Sequence, residues 1–378
     1  MLLDLFSDPA PGPAECVVSL GDEELGDAYP LLTEVTVEAS RQQAAEARLV
    51  FDLRRDEGGR FAVLDDGLTA PWRSVRVEAD FGSSAQEVFR GWIRQERSQF
   101  PTNPANATLT VECQDDSMLL DRGHQRRTWG GDAPTTDSTL LAEVLSDAGL
   151  SPHPDNGAGQ QALVLNQDST DIQLLQRRAE ANAYELLFAE GRVYFGPSRL
   201  ELEPQPTILV YAGPESHCYE ISIDGDGQRA DGVGFDAAAE TGAEAVSEEV
   251  TSDLPPLGPE PASSEGDGGL SPYVWRLRSP GTSSPERLRA MAQRRANEEA
   301  LARVVAEGEL DGSLYGHVLR PGEPVGIDGV GETHSGIWYV DSVTHTFNHS
   351  GYRQRFRLLR NARGDNLESG GGPLAALL

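Results

Sequence analysis

Lysine is missing from this chain, so all 31 of its basic residues are arginine. Without lysine there can be no Schiff base to a carbonyl substrate, no P-loop ammonium on a nucleotide phosphate and no Ser-Lys dyad. Cysteine is scarce. Cys16, Cys113 and Cys218 are odd in number, far apart and form no CxxC. That pattern argues against a disulfide framework or a cysteine zinc site and points to folding in a reducing compartment. Long apolar runs are absent as well: stretches such as 208–212 have strand length and fall far short of the ~20 residues a bilayer requires. Residues 1–6 are too few for a signal peptide, include Asp4 and lack a basic flank. Neither GxSxG nor HExxH occurs. Gly329-Val330-Gly331 lacks the third glycine and the strand-to-helix setting of a dinucleotide fingerprint.

Positive charge is in short supply overall. The arginines face 61 Asp and Glu, for a formal net charge of -30. A surface this acidic repels phosphate backbones and anionic headgroups, which excludes nucleic acid and a membrane face as general partners. The carboxylates are too numerous for any pair to stand out as the acid and base of a glycosidase. Asp224-Gly225-Asp226-Gly227 alternates acid and glycine like a calcium loop but misses the twelve-residue register of an EF-hand, and reads as a solvated turn. His345 and His349, four apart on a strand, would be ~13 Å from one another and could share an ion only across a sharp turn. His217-Cys218 has no second ligand pair in sequence. No catalytic residue, cofactor or metal is expected.

At 378 residues the chain has room for two or three domains. Short strands with turn punctuation fill 14–120, with candidates at 16–20, 34–39, 47–53, 74–79, 87–95 and 107–113. Val75, Val77 and Ala79 alternate with polar residues, as on a strand with one wet face. Gly91, mid-strand, predicts a close backbone approach or a barrel corner. Between 132 and 196 the apolar period lengthens to that of a helix. Asp137 is placed to cap a helix carrying Leu140, Leu141, Val144 and Leu145 and ended by Gly149. A second helix from Ser169 or Thr170 sets Ile172, Leu175, Ala179 and Ala183 on one stripe and turns Arg177, Arg178 and Glu180 mostly outward. A hairpin around Glu190-Gly191 follows.

Strands return at 208–212, 217–223 and 232–235. The tract 237–272 is rich in Glu, Pro, Gly and Ser and poor in large apolar residues, which predicts a long mobile acidic loop. Ser284 then caps a helix with Pro285 at its first position, a small-residue stripe from Leu288 to Val304, and Gly308 as its end. The expected fold is α+β and mainly β: a first barrel-like β domain over 1–130, an α/β insertion over 131–204, a second β domain over 205–236 and 273–365 with one helix, and a flexible tail at 366–378.

The ribbon 336–360 carries the most pattern. Tyr352, Gln354, Phe356 and Leu358 alternate with Arg353, Arg355 and Arg357, the period of two of a half-buried strand. Val343, His345 and Phe347 share a face in the other arm while Trp338 and Val340 fall on the opposite parity, so a bulge is expected near Asp341 or Ser342. Three guanidinium groups on one strand face repel unless acids oppose them. Two readings stay open for Arg353, Arg355 and Arg357: a charge ladder closed within the chain, or an assembly contact.

The phrase Trp338-Tyr339-Val340, then Val343 and His345, then Gly351-Tyr352 with Phe356, Leu358 and Arg360, resembles the C-terminus of the phage late control gene D family. Leu319-Arg320-Pro321-Gly322-Glu323-Pro324-Val325 before it, Val88–Asp115 and the Ser169–Leu175 phrase fit the same family, and their order carries the likeness. It is also similar to the N-terminal hub part of type VI secretion spike proteins. The resemblance implies a structural, non-enzymatic baseplate hub of a contractile phage tail or injection system. It implies two small antiparallel β-barrel domains with an α/β insertion, a homotrimer, and assembly in the cytoplasm. The implied partners are a spike protein, an inner tube or tube-initiator protein and baseplate wedge proteins. The alternative from another class is a tail-associated cell-wall hydrolase.

Overall fold

The computed structural model describes residues 13–21, 23–237, 246–262, 270–278 and 284–367. The first half contributes β1 (Glu15–Leu20), β2 (Leu32–Ser40), β3 (Glu46–Asp52), β4 (Ser74–Asp80), β5 (Ala85–Gln99) and β6 (Thr108–Asp115). Each alternates inward apolar and outward polar side chains, so Val75, Val77 and Ala79 of β4 and Leu109, Val111 and Cys113 of β6 are buried together. Gly91 sits where β5 crosses β6 closely: a Cβ there would lie 2.1 Å from the Gln114 carbonyl oxygen.

The insertion comprises β7 (His124–Trp129), α1 (Asp137–Asp147), β8 (Leu165–Thr170), α2 (Asp171–Asn182), β9 (Glu185–Ala189) and β10 (Arg192–Gly196). Its own core gathers Trp129, Leu141, Val144, Leu145, Ile172, Leu175, Val193 and Phe195. Two expectations fail here. Thr136, not Asp137, caps α1, its hydroxyl accepting from the Thr139 amide at 3.1 Å. Arg178 is buried rather than solvated, because Asp137 takes its guanidinium in two hydrogen bonds at 2.6 and 3.0 Å. The β7–β8 pairing was not anticipated.

The second half holds β11 (Gln205–Leu209), β12 (Cys218–Gly225), β13 (Gly232–Ala237), β14 (Val246–Val250), β15 (Val274–Leu277), α3 (Pro285–Leu301), β16 (Val304–Asp311), β17 (Pro324–Asp328), β18 (Gly336–Asn348) and β19 (Gly351–Arg360). Ser284 and Pro285 start α3 as expected. Gly308 does not end it. The helix stops at Leu301, and Gly308 lies inside β16 opposite Phe356, where a Cβ would meet the Phe356 ring at 2.7 Å. Part of the tract expected to be a mobile loop is ordered: β14 pairs with β13, Glu260–Pro261 pairs with Ala362–Arg363, and Leu257 is buried. The remaining pieces of that tract at 238–245 and 263–269, and most of the expected tail, 368–378, lie outside the described residues.

The molecule is mainly β, and its principal sheet is a curled, largely antiparallel one of thirteen strands. Its order is β12-β16-β19-β18-β2-β3-β6-β5-β4-β1, then the two-residue strand Glu23–Glu24, with β11 and β17 branching beside β18. The two β units expected from the sequence are therefore not separate sheets. They merge where β18 pairs with β2, from Ser342 opposite Ser40 to Asn348 opposite Glu34. Before that point the same strand pairs with β17, from Gly336 to Tyr339, and the expected bulge falls between Val340 and Ser342 as it changes partner.

The β18–β19 ribbon serves two cores in succession. Phe347 and Tyr352 belong to the first, inside the curl of β1–β6; Val343, Phe356 and Leu358 belong to the second, with Ile208, Ala306, Leu310 and Trp338. Between them His345 and Gln354 face each other across the strands, both fully buried. Gln354 accepts from the Leu319 amide at 2.8 Å and donates to the His317 carbonyl at 2.7 Å, so this polar rung is satisfied.

Candidate assembly surface and the junction behind it

The register of β19 against β16 sets Arg353, Arg355 and Arg357 opposite Asp311, Glu309 and Glu307. Arg353 Nη1 and Arg355 Nη2 both donate to Glu309, at 2.6 and 3.0 Å, and Arg357 Nη1 donates to Glu307 at 2.6 Å. The Arg353 hydrogen bond, helped by Arg355 and opposed by desolvation, holds the Glu309 carboxyl below the usual range. The structure thus brings all three candidate residues together in a ladder with acids of the same chain. Their guanidinium planes still reach the surface, with 72 % of the Arg355 side chain exposed. Arg353 also lies 4.7 Å from the ring centroid of Tyr219, a half-exposed residue of β12. Among the described residues β12 pairs only with β16, leaving its other edge open.

Behind the ladder lies a cluster that the sequence reading missed. Arg41, just past β2, is buried and donates through Nη1 to Glu185 Oε1 at 2.6 Å and through Nε and Nη2 to Asp341 Oδ1 at 3.1 and 2.9 Å. Burial opposes the Arg41 charge, but Glu185 and Asp341 outweigh that and raise its pKa above the ordinary value. Glu185 also accepts from Ser198 Oγ and Tyr339 Oη, each at 2.8 Å. Asp341 is the residue at the bulge, and Arg357 Nε approaches its other oxygen at 3.2 Å. One guanidinium therefore ties the first half of the sheet, the insertion and the partner-changing strand. Nothing in the sequence signals it, because Glu185 and Asp341 lie 144 and 300 residues from Arg41.

A cleft of about 510 Å³ opens over this cluster, between the insertion hairpin, the 40–45 turn, α3 and the 318–323 segment. The histidines considered as ligands lie apart. His345 stacks on Tyr352 and shares a 2.9 Å hydrogen bond with its hydroxyl, and burial pushes its pKa down to about 3, so it is neutral. His217 Nδ1 accepts from the Leu209 amide at 3.0 Å. Among the described residues no group of three or more His, Cys, Asp and Glu is placed to hold a metal, and no helix is long and apolar enough to cross a membrane.

Over residues 13–349 the sequence matches the family described as the Alg8 N-terminal domain. The chain belongs to that family. A search of curated proteins by sequence finds no match. Solved structures place the Alg8 N-terminal domain fold of this chain beside tail proteins. The 43 kDa tail protein of prophage MuSo2 from Shewanella oneidensis aligns with a TM-score of 0.67 at 13 % identity, over 92 % of this chain and 98 % of that one. A tail protein from Neisseria meningitidis MC58 aligns with a TM-score of 0.64 at 14 % identity, over 93 % of this chain and 97 % of that one. An Escherichia coli component of the type VI secretion system, described as structurally similar to the T4 bacteriophage tail proteins gp27 and gp5, aligns with a TM-score of 0.55 at 11 % identity, over 91 % of this chain and 76 % of that one. At these identities what is shared is the fold, and that fold is one of phage tail and type VI secretion proteins; the family model that matches is the Alg8 N-terminal domain rather than late control gene D.

Proposed function

We propose that this chain is a structural baseplate hub of a contractile phage tail or related injection particle, acting without catalysis. The observation that carries the reading is the fold itself: tail proteins align with it over 92 % and 93 % of its length, so the likeness covers both β units and the insertion together. In this reading three copies form a ring. Each copy presents the two halves of its merged sheet, each with its own core, as similar modules, so the ring is sixfold in appearance toward a hexameric inner tube and threefold toward a trimeric spike. Wedge proteins would meet its rim, and assembly would take place in the cytoplasm before the tail is complete.

The arginine ladder suits such a contact on energetic grounds. An exposed ion pair contributes only about 0–1 kcal/mol, so an acid of a neighbour can replace Glu307 on Arg357 at little cost, while the largely exposed Arg355 can add a neighbour's acid to its contact with Glu309. The open edge of β12, with Tyr219 beside it, offers a strand for pairing between subunits. Co-expression with tube and spike proteins of the same genome, followed by affinity capture, tests the role. Both partners should come down with the wild-type chain, and the triple variant R353E/R355E/R357E should fold by circular dichroism yet lose at least one of them. Capture of neither by the wild type would contradict the hub reading; full capture by the triple variant would remove the ladder from it.

A further inference from the structure

The geometry points to a conformational device: Arg41 is a latch that holds the insertion closed against the sheet, and the insertion is built to swing away when Arg41 lets go of Glu185. Four observations carry it. The insertion has a hydrophobic core of its own, centred on Leu141, Val144, Leu175 and Phe195, so it keeps its shape when its contacts with the sheet change. It is tethered by its own Asp137–Arg178 pair, which involves no residue of the sheet. Between it and the sheet lies the open cleft of about 510 Å³, with Leu200 packing on Tyr339 and Leu359 beside it. At the floor of that cleft the insertion offers one buried carboxylate, Glu185, to one buried guanidinium, with side chains 9 % and 6 % exposed.

The two acids on Arg41 are not equivalent. Asp341 is held on the sheet side twice over, since the Arg41 amide also donates to the Asp341 carbonyl at 3.0 Å and Arg357 approaches its carboxylate. Only Glu185 belongs to the moving body. The other holds on it are less buried or neutral: Tyr339 Oη on Glu185, Arg320 to Glu190 at 2.6 Å, and Arg199, whose amide donates to Tyr339 Oη at 3.1 Å, whose Nε donates to the Gly322 carbonyl at 3.2 Å and whose Nη2 lies 3.6 Å from Glu323. Breaking the pair leaves the buried Glu185 carboxylate without Arg41 while Arg41 keeps Asp341, so the latch is two-state: seated, or open with water admitted to Glu185.

Hydrogen exchange read by mass spectrometry on the full chain, comparing wild type with Glu185→Gln, Asp341→Asn and Arg41→Met, tests this. In Glu185→Gln the amides of 40–45 and 185–196 should exchange at least about tenfold faster, while those of 140–145 and 172–179 in the insertion core and 109–113 in the sheet stay within about twofold of wild type. Asp341→Asn, which spares the Arg41–Glu185 contact, should leave 185–196 protected. Arg41→Met should behave as Glu185→Gln if it folds, and the first two variants decide the matter if it does not. Equal acceleration everywhere, no change at 185–196 in Glu185→Gln, or the same opening in Asp341→Asn would each overturn the latch.

Discussion

Arg41 and Asp341 lie 300 residues apart in sequence, yet their side chains meet at 2.9 Å and the Arg41 amide donates to the Asp341 carbonyl at 3.0 Å. The contact sits where β18 leaves β17 for β2, at the bulge between Val340 and Ser342. A bulge turns its extra residue out of the alternating pattern, and here it aims Asp341 at the end of β2. This is how the two β units are held in register as one sheet.

Arg41→Met should therefore cost about 3–5 kcal/mol in equilibrium unfolding by urea, the penalty for stranding buried Glu185 and half-buried Asp341 without their cation. A double-mutant cycle with Asp341→Asn should give a coupling of about 0.5–3 kcal/mol. Independent, additive losses would show that the pair does not join the units.

Gln354 carries the next expectation. Replacing it with Leu fits the apolar row but strands the Leu319 amide and the His317 carbonyl, so a loss of about 1–3 kcal/mol per group is expected. Thermal unfolding of Gln354→Leu unchanged from wild type would mean that water or a rearranged 317–319 segment satisfies those groups.

A pH dependence follows from Asp115. Burial pushes its carboxyl up to about 6, although the Ser117 hydroxyl and the Ala45 and Ser117 amides favour the charged form. In the unfolded chain the same group titrates near ~3.9. Between those values the folded state holds the extra proton, so ionisation costs the fold. Relative to Asp115→Asn, the wild type should lose stability as pH rises from 4 to 7.5, by at most about 3 kcal/mol. A difference that does not vary with pH, or one of opposite sign, would contradict the assignment.

The acidic tract offers a local test. Leu257 packs among Leu200, Leu301, Tyr339 and Leu359, and its carbonyl accepts from the Arg360 guanidinium at 3.2 and 3.1 Å. Leu257→Ala should cost about 2–5 kcal/mol in urea unfolding. A loss near zero would mean that the ordered part of the tract is dispensable, as its composition suggested.

The contrast between what was and was not legible has a physical basis. Alternation on β19, the bulge in β18 and the close approach at Gly91 are local consequences of side-chain period and backbone sterics, and each could be read from a few consecutive residues. Arg178 and Leu257 could not. An arginine beside Arg177 on a helix looks solvated until the buried acid 41 residues away is known. A leucine among prolines and acids looks unpackable until Arg360 and Tyr339 are seen beside it. The merger of the two β units through β2 and β18 is a non-local pairing that no sequence window contains. The arginine ladder lay between: its face was readable, while its partners Glu307 and Glu309 on β16 came only with the register.

The central claim is that copies of this chain form the ring between tube and spike. Native mass spectrometry of the chain co-purified with its spike protein measures that stoichiometry directly. The account predicts a complex with three copies of the chain to three of the spike, dissociating when Arg353, Arg355 and Arg357 are reversed to Glu. A complex with one or two copies, or a chain that stays monomeric beside a spike it does not bind, would contradict it.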